Sequence, residues 1–280
     1  MAFPWRPRPS GSIGIVKRLL VFASLLLACL VARAGTSVFL EDLTSPEIRA
    51  AVQAGKTTIL VPIGGTEQNG PHMAVGKHNV RARWFAQRIA SSLGDALVAP
   101  VIAYVPEGGV DPPVAHMRFP GTITVPEDVF EKTLESAAAS FRLHGFRDIV
   151  FLGDHGGYRR SLARVAARLD REWKGTAVRV HALPEYYEAQ TSGFARLLRS
   201  KGYTDAQIGT HAGLADTALT LAIDPSLVRP DQLGAAAAKG AADGVHGDPR
   251  AATAELGRLG ADLVIERSVA AIRKATAGRR

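Results

Sequence analysis

The feature that most constrains this chain is a repeated couplet. A short, continuously apolar run ends in a glycine-rich turn and leads into a helical pattern. Residues 57–63 (Thr57-Thr58-Ile59-Leu60-Val61-Pro62-Ile63) and 148–152 (Asp148-Ile149-Val150-Phe151-Leu152) show no polar alternation, as expected of strands buried on both faces. A helix is expected over 80–93 after the first run. After the second, Leu162, Val165, Leu169 and Trp173 fall on one helical face. Further strands are expected at 97–104 and 177–183, and a long terminal helix at 251–274. Residues 127–144 read as an amphipathic helix with Phe130, Leu134, Ala137 and Phe141 on one side. A capping-box pattern from Thr124 to Glu127 opens that helix and Gly145 follows it. Strands separated by helices imply βαβ units, so the expected fold is α/β, a mostly parallel sheet covered on both sides. No internal repeat or linker breaks the pattern, and residues 35–280 are expected to form one domain.

Residues 1–34 read differently. A basic segment ending in Lys17-Arg18 precedes the apolar run 19–31 and then Ala32-Arg33-Ala34. That is the form of a secretory signal peptide, cut after Ala34. The apolar run is shorter than the roughly 20 residues of a membrane span, so no stable span is expected after cleavage. Leu26-Leu27-Ala28-Cys29 resembles a lipobox, but the segment beyond it stays apolar, so simple cleavage and a periplasmic or secreted protein are expected. Cys29 is the single cysteine of the 280-residue chain. The mature protein would hold none, which excludes disulfides, thiolate ligands and a cysteine nucleophile. The formal charge of +8 reflects this leader, which holds five of the 34 basic side chains and none of the 26 acidic ones. The remaining excess is small and no basic stripe with interleaved aromatics is present, so nucleic acid is not an expected partner.

Three polar segments carry the candidate chemistry: Gly64-Gly65-Thr66-Glu67-Gln68-Asn69-Gly70-Pro71-His72, Gly153-Asp154-His155-Gly156-Gly157 and His211-Ala212-Gly213-Leu214-Ala215-Asp216-Thr217. The first two follow expected strands directly, and loops at the carboxyl ends of parallel strands form the ligand crevice of such sheets. Glu67 and His155 can therefore meet despite their separation in sequence. No G-x-S-x-G elbow is present. Clustered imidazoles and carboxylates are what zinc, manganese or iron requires, and such an ion supports amide hydrolysis by an activated water. Glycine-rich turns of this kind also cradle phosphates, and that alternative stays open on the residues alone. His144, at a helix end, and His181, on a strand, read as structural. Residues 185–210, with Tyr186, Tyr187, Phe194 and Tyr203, read either as a surface helical excursion or as a lid or subunit contact over the site.

The motifs resemble those of the creatininase (creatinine amidohydrolase) family. Thr66 to His72 resembles its T-E-Q-H-G-P-H segment, and His116-Met117-Arg118-Phe119-Pro120-Gly121-Thr122-Ile123 its H-M-x-F-P-G-T-I stretch. Leu152 to Gly157 resembles N-G-H-G-G-N, His211 to Thr217 resembles H-A-G-x-x-E-T, and Gly247-Asp248-Pro249-Arg250 matches a late G-D-P turn. The segments come in the family order and span nearly the whole mature chain. The resemblance implies a three-layer α/β/α fold, commonly hexameric, and hydrolysis of C–N bonds in small cyclic or linear amides at a zinc or manganese centre. It implies metal binding by Glu67 and His155.

The chain departs from the pattern at several positions, three of them at or beside a second metal. The family's bridging aspartate is His78 here, and the histidine two residues after the glutamate is Asn69. Gly157 stands where creatininase itself has a glutamate. Asp216 shortens the glutamate of H-A-G-x-x-E-T, and Asp154 replaces an asparagine. The expected site is therefore mononuclear, with Glu67, His78 and His155 as ligands, zinc as the ion (manganese and iron being the alternatives) and one ion per subunit. His211 is expected to pass a proton to the leaving nitrogen. Asp216 is expected to act with it, as a fourth ligand or as the partner that orients a histidine. His72 and His116 are expected to line the pocket. The expected function is that of an exported, homo-oligomeric, metal-dependent amidohydrolase of a small non-peptide amide. The alternative is a non-catalytic relative with a decayed metal site that binds a small molecule or serves a structural role.

Overall fold

The structure, a computed structural model, describes Met1 and residues 37–277. The expected leader, with its cut near Ala34 and Cys29, lies outside the described residues apart from Met1. Along the chain come α1 (Ser45–Gln53), β1 (Thr58–Ile63), α2 (Lys77–Leu93), β2 (Ala96–Val98), α3 (Glu127–Leu143), β3 (Asp148–Gly153), α4 (Arg159–Glu172) and β4 (Arg179–Ala182). Then follow α5 (Pro184–Glu188), a π-helical turn (Ala189–Gly193), α6 (Phe194–Ser200), α7 (Asp205–Ile208), α8 (Leu214–Ile223), α9 (Leu233–Lys239) and α10 (Ala254–Thr276).

The four strands form a parallel sheet in the order β2-β1-β3-β4. Every residue of the two central strands is buried, which is why their sequences are apolar throughout rather than alternating. Alternation appears instead in which core each residue joins. Ile59, Val61, Ile63, Ile149 and Phe151 pack with Phe130 and Leu134 of α3 and Leu162, Val165 and Leu169 of α4. Leu60, Val150 and Leu152 pack on the other side with Phe85 and Ile89 of α2 and with Val264 and Ile272 of α10. The result is the expected α/β/α sandwich. Among the described residues no helix is long and apolar enough to cross a membrane.

Several boundaries differ from the sequence expectation for local reasons. β2 stops at Val98 because Pro100 has no N–H to extend the ladder, and only an isolated bridge, Ile63 to Ile102, continues the pairing. The capping box expected at α3 does not form. Pro126 is the N-cap, and the Thr124 hydroxyl instead accepts from Glu107 N at 3.0 Å and donates to Gly108 O at 3.1 Å. α2 starts at Lys77, three residues earlier than expected, behind a Gly76 that makes no side-chain cap. The 185–210 segment folds as short helices joined through the π turn and forms one wall of the cavity beside the candidate site.

The helix that carries Asp216 is held by an unusually close contact. A Cβ placed on Gly257 of α10 would lie 1.8 Å from the Ala218 carbonyl oxygen of α8. Backbone meets backbone there, and no side chain fits. Gly257→Ala is expected to destabilise the protein by about 1–3 kcal/mol in denaturant unfolding. A solvent-facing helical glycine would instead gain about 1 kcal/mol on the same change, so a stabilised variant would contradict this packing.

Candidate metal centre

The loops after β1 and β3 and the first turns of α2 and α8 deliver the polar segments to one place. Glu67 follows β1, Asp154 and His155 follow β3, Lys77, His78 and Arg81 open α2, and Asp216 lies in the first turn of α8. Two further loops close the site, bringing Glu107 and His116 from one side and His211 from the other. Glu67 is 0% exposed and its two oxygens have different surroundings. Oε1 meets His78 Nε2 at 2.7 Å, His211 Nδ1 at 3.6 Å and Lys77 Nζ at 3.7 Å. Oε2 faces His116 Nε2 at 3.1 Å and His155 Nε2 at 3.3 Å, and Glu107 Oε2 stands 3.4 Å from His155 Nδ1.

Glu67, Glu107, His116 and His155 offer ligand atoms that all lie within 4.8 Å of one another. Three carboxylate oxygens in this group, Glu67 Oε2 and both of Glu107, are buried without a hydrogen-bond donor. Buried acceptors are rarely left so: without an ion a proton on Glu107 serves the facing carboxylates, and a cation is the partner that two imidazoles and two carboxylates would share. Tetrahedral ligation at about 2.1 Å places ligand atoms about 3.4 Å apart, a spacing close to those around Glu67 Oε2. The residues present therefore fit a divalent ion. Gly65 is part of this fit: its φ is +149°, and a Cβ there would lie 2.5 Å from Glu107 Oε1.

Of the residues expected as ligands, Glu67 and His155 fall within this group. His78 lies beside it with both ring nitrogens engaged, Nε2 by Glu67 and Nδ1 by Asp154 Oδ1 at 2.6 Å. Asp216 Oδ2 accepts from Lys77 Nζ at 2.7 Å and Ala212 N at 2.9 Å, while Oδ1 accepts from Arg81 Nη1 at 2.7 Å. It thus ties α2 to the His211 loop. His211 Nε2 lies 3.0 Å from the Gln68 carbonyl oxygen. Donation to that oxygen assigns the proton to Nε2 and turns the bare Nδ1 towards Glu67. His116 and His211 pack ring to ring at 4.7 Å, and the Gln68 amide lies 3.2 Å from a nitrogen of each. His72 is fully buried, 3.0 Å from Thr217 Oγ1. Asn69 braces the turn, donating to Glu67 O at 2.9 Å and Ala74 O at 3.1 Å.

The charges follow from burial and pairing. Burial opposes the charge of Glu67, but His78, His155 and Lys77 hold it well below the usual carboxylate range. Burial likewise opposes the charge of Asp216, and Lys77 and Arg81 hold it well below its ordinary value. Burial and Lys77 also oppose a charged His78, yet Glu67 and Asp154 raise it above its ordinary value. Burial pushes His155 down to about 4 and, with Lys77, His211 down to about 3. These imidazoles are neutral at pH 7, as ligands and proton acceptors must be. Burial and the facing Glu67 carboxylate push Glu107 up to about 9.

Sequence reasoning missed Glu107, Lys77 and Arg81. Nothing marks Glu107, which reaches the site from an irregular loop. Lys77 and Arg81 did leave a signal: at intervals of four they lie on the same stripe of α2 as the buried Phe85 and Ile89. Two cations on a core-facing stripe require buried carboxylates opposite them, and Asp154 and Asp216 meet that need.

Comparison with known proteins agrees with this architecture. The family described as Creatininase: Creatinine amidohydrolase matches residues 41–272. The chain is 31% identical over 180 residues to mycofactocin precursor peptide peptidase of Mycolicibacterium smegmatis, covering 62% of this chain and 61% of that protein. It thus spans less than two thirds of that peptidase. It is 28% identical over 208 residues to creatinine amidohydrolase of Pseudomonas putida, covering 70% and 76% of the two chains. A solved manganese form of creatininase matches with a TM-score of 0.71 at 25% identity, over 86% of this chain and 100% of that one. With the family match extending over most of its length, the chain belongs to the creatininase (creatinine amidohydrolase) family.

Proposed function

We propose that this protein is a metal-dependent amidohydrolase that cleaves a C–N bond in a small, non-peptide amide. The observation that carries this reading is the convergence of the ligand atoms of Glu67, Glu107, His116 and His155, the two imidazoles lining a cavity. We assign the divalent ion as zinc, which suits two imidazoles with carboxylates, and one ion per subunit. Single occupancy follows from the division of labour at Glu67: Oε2 faces the ligand group, while protein cations and imidazoles already surround Oε1. Export after cleavage near Ala34 and assembly as a homo-oligomer complete the reading.

An ion held there supplies positive charge that polarises an amide carbonyl and lowers the pKa of a water molecule. The protein supplies the rest. His211, with its Nε2 proton committed to Gln68 O, presents Nδ1 to receive a proton from the attacking water and return it to the departing nitrogen. The Gln68 side-chain amide, donating to Gly244 O and 3.2 Å from His116 Nδ1, steadies the His116 ring. Asp216, pinned by Lys77 and Arg81, keeps the His211 loop in place through Ala212 N.

The full chain loaded with zinc is expected to hydrolyse members of a small-amide panel, to lose that activity to a chelator and to regain it with zinc. His155→Ala and His116→Ala should each lower kcat/KM by about a hundredfold or more through loss of metal. His211→Ala should lower kcat by about 10²–10⁴ with metal content intact. Turnover that survives chelation unchanged would refute the reading. Metal binding should also release about one proton per ion at pH 7.5, because Glu107 is protonated in the metal-free protein and must ionise to ligate. Calorimetry in buffers of different ionisation enthalpy reads that number, and a value near zero would contradict the placement of the Glu107 proton.

A further inference from the structure

We propose that Gln190 is a specificity-determining residue, whose side-chain amide donates a hydrogen bond to a second, neutral carbonyl on the substrate, remote from the bond being cut. The inference rests on the amidohydrolase reading only for where that bond lies.

The cavity beside the ligand group has a volume of about 510 Å³, room for considerably more than a single amide group. His116, His155 and His211 line it at one end, and Ala195, Ile208 and Leu219 give it an apolar side. Gln190 lines it too, from the π-helical turn Ala189–Gly193. Such turns depart from regular helix and occur often at functional sites. Gln190 is 4% exposed, and Arg81 Nη2 donates to its Oε1. A guanidinium has no acceptor, so that contact fixes which end of the amide is oxygen. The other end, Nε2, is therefore the donor; it has no partner and is closed to water, so a substrate oxygen reaches it once the amide turns towards the cavity. The neighbouring hydroxyls cannot take its place. Thr191 donates to Tyr187 O at 2.9 Å and Ser192 to Glu188 O at 3.2 Å, both within the helix.

Charge selects the acceptor. Arg81 donates to Asp216 Oδ1 and Gln190 Oε1 and lies 3.4 Å from Asp154 Oδ1. Lys77 is committed to Asp216 and Glu67. The other arginine of the lining, Arg199, is paired with Asp205 at 2.6 Å, and Asp216 itself lines the cavity. A neutral carbonyl oxygen satisfies the donor without burying a second charge. The substrate class that fits is an amide with an apolar body and a second amide-type carbonyl.

Calorimetric titration of the zinc-loaded full chain tests this with three probes: N-acetylglycinamide, N-acetylglycine and N-propylacetamide. The second replaces the remote carbonyl by a carboxylate and the third lacks it. Wild-type protein is expected to bind N-acetylglycinamide about tenfold more tightly than N-propylacetamide, and N-acetylglycine no better than the latter. Gln190→Leu should erase that preference. So should Gln190→Glu, which keeps an acceptor for Arg81 but has no donor, and which separates recognition from mere bracing of the π turn. An absent preference in the wild type, a preference retained in Gln190→Glu, or tighter binding of the carboxylate would each overturn the proposal. Hydrolysis of the same probes is scored separately. Preference without turnover would count against the amidohydrolase reading alone, and turnover without preference against Gln190 alone.

Discussion

The structure depends on a carboxylate that holds its charge out of contact with water. Glu67 is fully buried, and an isolated charge in such a place costs far more than a fold can spare. Around it the chain arranges an alternating set of charges: His78 and Lys77 against Glu67, Asp154 and Asp216 against His78, Arg81 and Lys77. Each member opposes at least one neighbour of opposite sign, and none is dispensable, since removing one partner of a buried set strands the others. Tyr186 extends the set by donating to Asp154 Oδ2 at 2.7 Å.

This arrangement links the sheet to the chemistry. Glu67 and Asp154 lie just past the carboxyl ends of the two central strands. α2 brings the cations across on consecutive turns, and α8 brings Asp216 to meet them. The consequence is an asymmetric Glu67: one oxygen is occupied by the protein's own partners, and the other faces Glu107, His116 and His155.

Most of the architecture was legible in the sequence because it rests on local rules. Continuous apolar runs mark strands buried on both faces, and the stripes of α3 and α4 are helical in period. Boundaries failed where side chains were needed elsewhere, as with Thr124, whose hydroxyl clamps the Glu107 loop rather than capping α3. At the site, the sequence motifs pointed to Glu67, His155 and His211. They also named His78, which lies beside that group with Glu67 and Asp154 against its two ring nitrogens. Glu107 was illegible, since a carboxylate on an irregular loop carries no periodicity. The cationic stripe of α2 was readable in principle, but its meaning depends on Asp154, 73 residues beyond Arg81, and on Asp216, 139 residues beyond Lys77.

The central claim, one divalent ion per chain held by a group that includes Glu107, is tested most directly by elemental analysis. Metal per subunit would be measured for the full chain and for Glu107→Gln, each purified gently and dialysed against zinc. The account predicts about one ion per wild-type chain and clear loss of occupancy in the variant, which keeps the shape of the carboxyl but not its charge. Two ions per wild-type chain, or full occupancy in Glu107→Gln, would contradict it.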